Sequence, residues 1–147
     1  MAWLQVKERM LAIAEALTPA SKPSNRFKRL NNRTKVANVA ATSGAFRRCR
    51  VLAGSHVRGS AVVGIGAKQV IHSVGFEVSY PDTGTEDYED LIEQDAQQLR
   101  AALEDSRNYL FGTTGLQNIE VTGVAKASTE GKQVLQLACN VIYVGAN

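Results

Sequence analysis

Cysteine, histidine and long apolar runs are scarce in this chain of 147 residues. Its two cysteines, Cys49 and Cys139, are far apart and belong to no Cys/His cluster. This argues against a zinc module and against a disulfide-dense secreted scaffold. No apolar stretch reaches the length of about 18 residues that a transmembrane helix needs, so we expect no contact with a membrane. At 44% hydrophobic and 21% charged residues, the composition is typical of a folded domain.

Catalytic, cofactor and targeting motifs are also missing. Residues 59–66 are rich in glycine but lack the Gly-Lys-Ser/Thr ending of a phosphate loop, which favours a strand or bulge. Neither histidine, His56 or His72, has a further metal ligand at suitable spacing. The first residues lack the basic and apolar segments of a signal peptide. We therefore predict a non-enzymatic protein of the cytoplasm, or of a particle assembled there, with no catalytic residue, no metal and no cofactor.

Three residues with reactive side chains are predicted to face the core. His72 lies on the apolar side of a predicted strand, which favours a core histidine over a catalytic base. Cys139 is predicted to be a core residue for the same reason. Cys49 lies between two arginines, which would lower its thiol pKa if the side chain were exposed. A small inward-facing residue is the favoured interpretation of Cys49, and a reactive thiol is the alternative.

Acidic residues are almost missing from the first half of the chain. Residues 1–75 have a net charge of +11, whereas residues 76–147 have a net charge of −8. This asymmetry indicates either a polyanionic partner for the basic half or head-to-tail contacts between copies. The alternative is one domain with a solvated basic face.

Two amphipathic helices are predicted. Apolar residues recur at spacings of three and four over residues 2–17, and Thr18-Pro19 ends that helix. The second helix is predicted to open at Thr85 with acidic residues in its first turn, and to run to about residue 108. A polar, basic stretch without periodicity separates the first helix from the strands and predicts a long loop at about 19–44.

The remaining segments alternate or are rich in β-branched residues. The predicted strands are 46–52, 57–65, 69–80, 118–126 and 133–144. Residues 53–56 separate the first two as a predicted turn. Arg48 and Arg50 make the first strand an edge or interface strand, and apolar residues on both faces make the last strand central. The order predicts one α+β domain, with two helices packed on one face of a mainly antiparallel sheet.

The candidate interface residues are charged. They comprise the basic residues Arg26, Lys28, Arg29, Arg33, Arg47, Arg48 and Arg50 and the acidic helix residues Asp87, Asp90 and Glu93. Arginine binds phosphate readily, so the basic set suits DNA. It also suits the acidic helix of a neighbouring subunit, and a flexible solvated loop is the third interpretation. The sequence leaves these open.

The order of the elements resembles a known architecture. A helix at 6–17 precedes a strand at 74–80 (VGFEVSY), an acidic helix beginning at 86–92 (EDYEDLI), and a hairpin of 119–124 (IEVTGV) and 135–144 (LQLACNVIYV). In layout and length, residues 1–17 and 70–147 resemble the tail terminator, or tail completion, proteins of long-tailed bacteriophages. The basic stretch 21–50 has no counterpart in this resemblance.

The resemblance implies a non-enzymatic virion protein. Such a protein forms a ring, typically of six copies, at the head-proximal end of the tail tube, where it ends tube polymerisation. Its implied partners are other copies of itself, the tail tube protein, and a head completion or connector protein. DNA would pass through the lumen without sequence specificity. The implied location is the virion tail or neck, after assembly in the host cytoplasm.

Other functions fit the same residues. One is a different head–tail joining, neck or tail-tube protein. Another is a nucleic-acid-binding module that uses the basic half. A third is a small enzyme or ligand-binding domain, which would hold His56, His72 or Cys49 in a pocket.

Overall fold

The computed structural model describes residues 3–20, 25–30, 46–62, 67–81, 88–109, 115–129 and 131–146. These residues form two α-helices and five strands, so the predicted α+β class is confirmed. The helices are α1 (Trp3–Glu15) and α2 (Glu89–Glu104). The strands are β1 (Lys28–Arg29), β2 (Arg48–Val62), β3 (Ala67–Pro81), β4 (Leu116–Thr129) and β5 (Lys132–Ala146).

The five strands form one sheet in the order β1-β2-β3-β5-β4. β1 pairs with β2 in parallel over two residues, and all other neighbours are antiparallel. β5 therefore lies between two long strands, which confirms its predicted central position. β1 pairs only with Arg48 and Cys49 of β2, so β2 is nearly an edge strand in the described part of the sheet.

Both helices pack on the same face of the sheet, and the core lies between the layers. Each helix buries one apolar stripe, as amphipathic helices do. The buried residues include Val6, Met10 and Ile13 of α1, Ile92, Leu99 and Leu103 of α2, and Phe76, Val78, Leu135, Leu137 and Val141 of the sheet. His72, Cys49 and Cys139 are also buried, which confirms their predicted inward orientation.

The predicted turn at 53–56 is wrong, because β2 continues through these residues. Ala53 pairs with Val74 and His56 with His72, so β2 contains one extra residue in a β-bulge. A Cβ atom at Gly54 would lie 2.6 Å from the carbonyl oxygen of Ser73. Glycine is therefore needed here for close approach of two strands, and not for a chain reversal.

The basic stretch is partly ordered against its own subunit, which corrects the predicted loop over 25–30. Phe27 is buried in the core, and Lys28 and Arg29 form β1. The Arg26 guanidinium donates to the carbonyl oxygens of Glu15, Ala16 and Leu17 at the end of α1. The other parts of the predicted loop, 21–24 and 31–44, lie outside the described residues. The predicted bounds of the second helix are wrong, because Tyr88 is its non-helical N-cap: α2 begins at Glu89 and not at Thr85, and it ends at Glu104 and not near residue 108.

Candidate assembly surfaces

The sheet face opposite the helices carries an apolar groove. The strand registers align Leu52 of β2, Gly75 of β3, Ala138 of β5 and Gly123 of β4 in one row across the sheet. Because three of these four residues are glycine or alanine, the row forms the floor of a depression of about 490 Å³. The side chain of Leu52, 42% exposed, lies at its β2 end.

Side-chain hydrogen bonds connect the strands in the row of residues next to this groove. The Arg50 Nε donates to Glu77 Oε2 at 2.5 Å, and the Gln136 Nε2 donates to Glu77 Oε1 at 2.9 Å. Glu77 lines the groove, but the residue is only 7% exposed, and each of its carboxylate oxygens accepts a hydrogen bond. A carboxylate held in this way stabilises the shape of the surface and is poorly placed to move protons.

Exposed apolar side chains occur on both sides of the molecule. On the sheet face, Ile71 is 40% exposed two rows beyond the groove. On the helical side, Leu4 of α1 is 71% exposed. Isolated exposed apolar side chains are common. An apolar groove and a protruding leucine on opposite sides of one subunit are two surfaces suited to different contacts.

Arg47 is buried inside the subunit, so its predicted place in an interface is wrong. Its side chain and that of Asp95 on α2 are 0% exposed. Arg47 Nε and Nη2 donate to the two Asp95 oxygens at 2.7 and 3.1 Å, and Tyr80 Oη donates to Asp95 Oδ2 at 2.7 Å. Full burial makes this pairing obligatory, because an unpaired interior charge is strongly unfavourable.

The surroundings of the Arg47 guanidinium complete the network. Its Nη1 donates to the Asn25 carbonyl oxygen at 2.9 Å. The guanidinium also faces the rings of Phe27 and Phe46, at 5.6 and 5.1 Å from their centroids. Arg47 has a φ of 57°, in the left-handed region that non-glycine residues rarely adopt. Burial and the nearby Asp95 carboxylate raise the pKa of Tyr80, so its hydroxyl remains a donor.

The other basic candidates divide into paired and unpaired side chains. Arg29 forms ion pairs with Glu8 and Glu15 of α1, which raise its pKa, and Arg50 pairs with Glu77. Lys28 is exposed and Arg48 half-buried, and neither has an ion pair within the described residues. Arg33 lies outside the described residues.

Two of the acidic candidates, Asp90 and Glu93, lie in the first part of α2. Asp90 and Glu93 are exposed, and Glu93 pairs with Lys126 of β4 at 3.1 Å. Asp87 lies outside the described residues. The structure therefore does not gather the candidate charges into one patch, because most of the described arginines contact groups of their own subunit.

The histidines and cysteines form no catalytic arrangement among the described residues. The centroid of the His72 ring lies 4.4 Å from that of Trp3, with the rings tilted by 37°, and 5.1 Å from that of His56. His72 Nδ1 contacts the Tyr143 hydroxyl at 3.2 Å. Burial, and secondarily the charge of His56, lowers the pKa of His72. Burial raises the pKa of both thiols, to about 12 for Cys139, so Cys49 is not the reactive thiol of the alternative interpretation. No group of three or more metal-binding side chains occurs in the described ranges.

Sequence reasoning missed Asp95 and the network built on it. Asp95 lies three residues after Ile92 and four before Leu99, on the buried stripe of α2. A carboxylate on an apolar stripe was the available signal, because such a group requires an interior partner. Its partner, 48 positions away, left no comparable local pattern.

No protein-family model matches the chain, and no curated protein matches it either. Among the described helices, none combines the length and the apolar character needed to span a membrane.

Proposed function

We propose that this chain is a non-enzymatic structural protein of a long-tailed bacteriophage, the tail terminator. In this role it forms a ring, with six copies as the expected number, at the head-proximal end of the tail tube. The ring ends tube polymerisation and joins the tail tube protein to a head completion or connector protein. DNA passes through its lumen without sequence-specific contacts, and the protein is located in the virion tail or neck.

The observation that carries this proposal is the sheet face opposite the helices, which the described residues leave uncovered (the uncovered sheet face). Both helices lie on one side of the sheet, and the groove between Leu52 and Gly123 lies on the other. The two sides differ in shape and chemistry, as a head-to-tail ring requires of each subunit. A symmetric dimer would need only one self-complementary surface.

The lining of the groove supports an assembly role over an enzymatic one. Its polar residues are Ser73, Gln136 and Glu77, and the Glu77 carboxylate is engaged by Arg50 and Gln136. No histidine or cysteine lines it. Its lining therefore lacks a nucleophile paired with a base, the arrangement that covalent catalysis requires.

The internal use of arginine reduces support for a nucleic-acid-binding module. Arg26, Arg29, Arg47 and Arg50 each contact groups of their own subunit. Tight DNA binding relies on many free cations that neutralise phosphates. Weak contact with passing DNA needs far fewer, which suits a ring around a lumen.

Particle mass and shape test the proposal. We expect light scattering behind a sizing column to give about 95 kDa for six copies of 15.9 kDa, and negative-stain images to show rings with a central hole. A monomer that binds DNA with a steep salt dependence would instead identify a nucleic-acid-binding module and overturn the proposal. Titration with duplex DNA at several salt concentrations provides that measurement.

A further inference from the structure

We infer that the groove on the uncovered sheet face receives the Leu4 side of helix α1 from a second copy of this chain. The inference rests on the proposed function and deepens it, because it names the two surfaces that meet between neighbouring subunits. It follows from the shape of the groove, the exposure of Leu4 and the charges beside each.

The groove is space that residues in the described part of the fold leave unfilled. A Cβ atom added at Gly75 would meet its nearest neighbour, Leu52 Cβ, at 3.8 Å. One added at Gly123 would meet Ala138 Cβ at 3.9 Å. Both are ordinary van der Waals distances, so neither glycine is required by contacts within the subunit. Small residues at these positions keep the row open to an incoming apolar side chain.

Leu4 is the side chain suited to fill it. Its exposed fraction of 71% is higher than that of Leu52, Ile71 and Val124, the other exposed large hydrophobic residues among those described. Since each helical residue rotates by about 100°, Leu4 projects from the side of α1 opposite the buried Val6. Leu4 and the groove lie on opposite sides of the sheet. One subunit therefore cannot bring them together, and contact between copies is head-to-tail.

Charge complementarity accompanies this fit. Lys7 follows Leu4 by one helical turn, so the two side chains are neighbours on the surface of α1. Glu120 pairs with Asn140 in the row adjacent to that of Ala138, and so lies beside the groove. Lys7 and Glu120 have no ion pair among the described residues, whereas Glu8 is paired with Arg29. The leucine thus has an unpaired cation beside it, and the groove an unpaired anion.

Two substitutions test the apolar contact from its two sides. Gly75→Val fills the groove with a residue favoured in strands, and Leu4→Glu removes the apolar projection at an exposed position. We expect each to raise the protein concentration for half-assembly by about tenfold or more, the effect of losing one central anchor. Light scattering across a concentration series measures this shift, and circular dichroism verifies that each variant is folded.

A charge exchange tests the proposed orientation. Lys7→Glu and Glu120→Lys should each weaken assembly, and the double variant should recover it, because the pair is restored with reversed signs. Lys28→Glu is the matched control, since it makes the same charge change at an exposed position of β1 that lies two rows from Leu52 and outside the lining of the groove. It should leave assembly unchanged.

The outcomes separate this inference from the proposed function. Rings that persist in folded Gly75→Val and Leu4→Glu variants overturn the inference and leave the ring function standing. Open filaments that the same variants dissociate support the contact and overturn the ring, because a head-to-tail contact that does not close forms a filament. A two-subunit particle overturns both. A wild-type protein that stays monomeric at every concentration overturns the inference.

Discussion

Replacement of Asp95 by alanine is expected to destabilise the fold by about 3–5 kcal/mol. The carboxylate accepts two hydrogen bonds from Arg47 and one from Tyr80, at distances from 2.7 to 3.1 Å. All three side chains are fully buried. The substitution would leave the guanidinium without its counter-charge in the interior, where water cannot replace it.

Smaller changes at the same network should have graded effects. Tyr80→Phe removes one hydrogen bond to a charged group and keeps the ring, so we expect a loss of about 1.5–3 kcal/mol. The double substitution of Arg47→Met with Asp95→Leu removes both charges together. We expect it to recover more than half of the loss caused by Asp95→Ala, because no unpaired charge remains buried.

Urea unfolding followed by circular dichroism measures these differences. The midpoint should shift while the slope stays unchanged, as expected when stability alone changes. The free energy of unfolding of a domain is about 5–15 kcal/mol, so the loss caused by Asp95→Ala should either be measurable or leave the variant unfolded. A loss below about 1 kcal/mol would refute the reasoning. So would a double variant no more stable than Asp95→Ala, because the cost would then not come from the unpaired charge.

Three further expectations concern other contacts. Burial lowers the pKa of His72, so the unfolded chain binds more protons and stability should fall as pH decreases below about 6.5. His72→Phe should flatten this dependence between about pH 5 and 7 in urea midpoints, whereas His56→Phe should reduce it only slightly. Arg26→Ala should cost about 1 kcal/mol, because three carbonyl groups at the end of α1 lose a charged donor, and Arg26→Lys should restore part of it in the same assay. Gly54→Ala should lower the free energy of unfolding by about 1–3 kcal/mol, because the added Cβ clashes with the neighbouring strand, while Gly75→Ala should change it little. Equal effects in thermal unfolding would contradict the difference in space beside these two glycines.

Periodicity in the sequence was sufficient to predict most of the fold. The stripe of α1 and the strict alternation of β3 follow from side chains that must face one core. The central place of β5 followed from apolar residues on both its faces. The Gly54 region was predicted as a turn because glycine, serine and histidine in succession usually leave a sheet. Only the 2.6 Å approach to Ser73 reveals the glycine as a requirement of strand packing.

The candidate surface was less predictable than the fold. The groove exists because the registers of three strand pairs bring Leu52, Gly75, Ala138 and Gly123 into one row. A bulge in β4 between Val121 and Gly123 contributes to that alignment. Shifting one strand by a single residue would move its side chains to the other face. Register depends on contacts between distant segments, and so leaves no pattern within any one of them.

The charge asymmetry has a different meaning in the folded chain than in the sequence. Arg47 pairs with Asp95 and Arg50 with Glu77, so cations of the first half neutralise anions of the second. This occurs because β3 and α2, which carry those anions, pack against the start of β2. These two arginines, which are among the charges that suggested a polyanionic partner, therefore stabilise the subunit. The contact that we propose between copies therefore depends mainly on the shape of the groove and the exposed Leu4, and we expect the Lys7 and Glu120 charges to set its orientation.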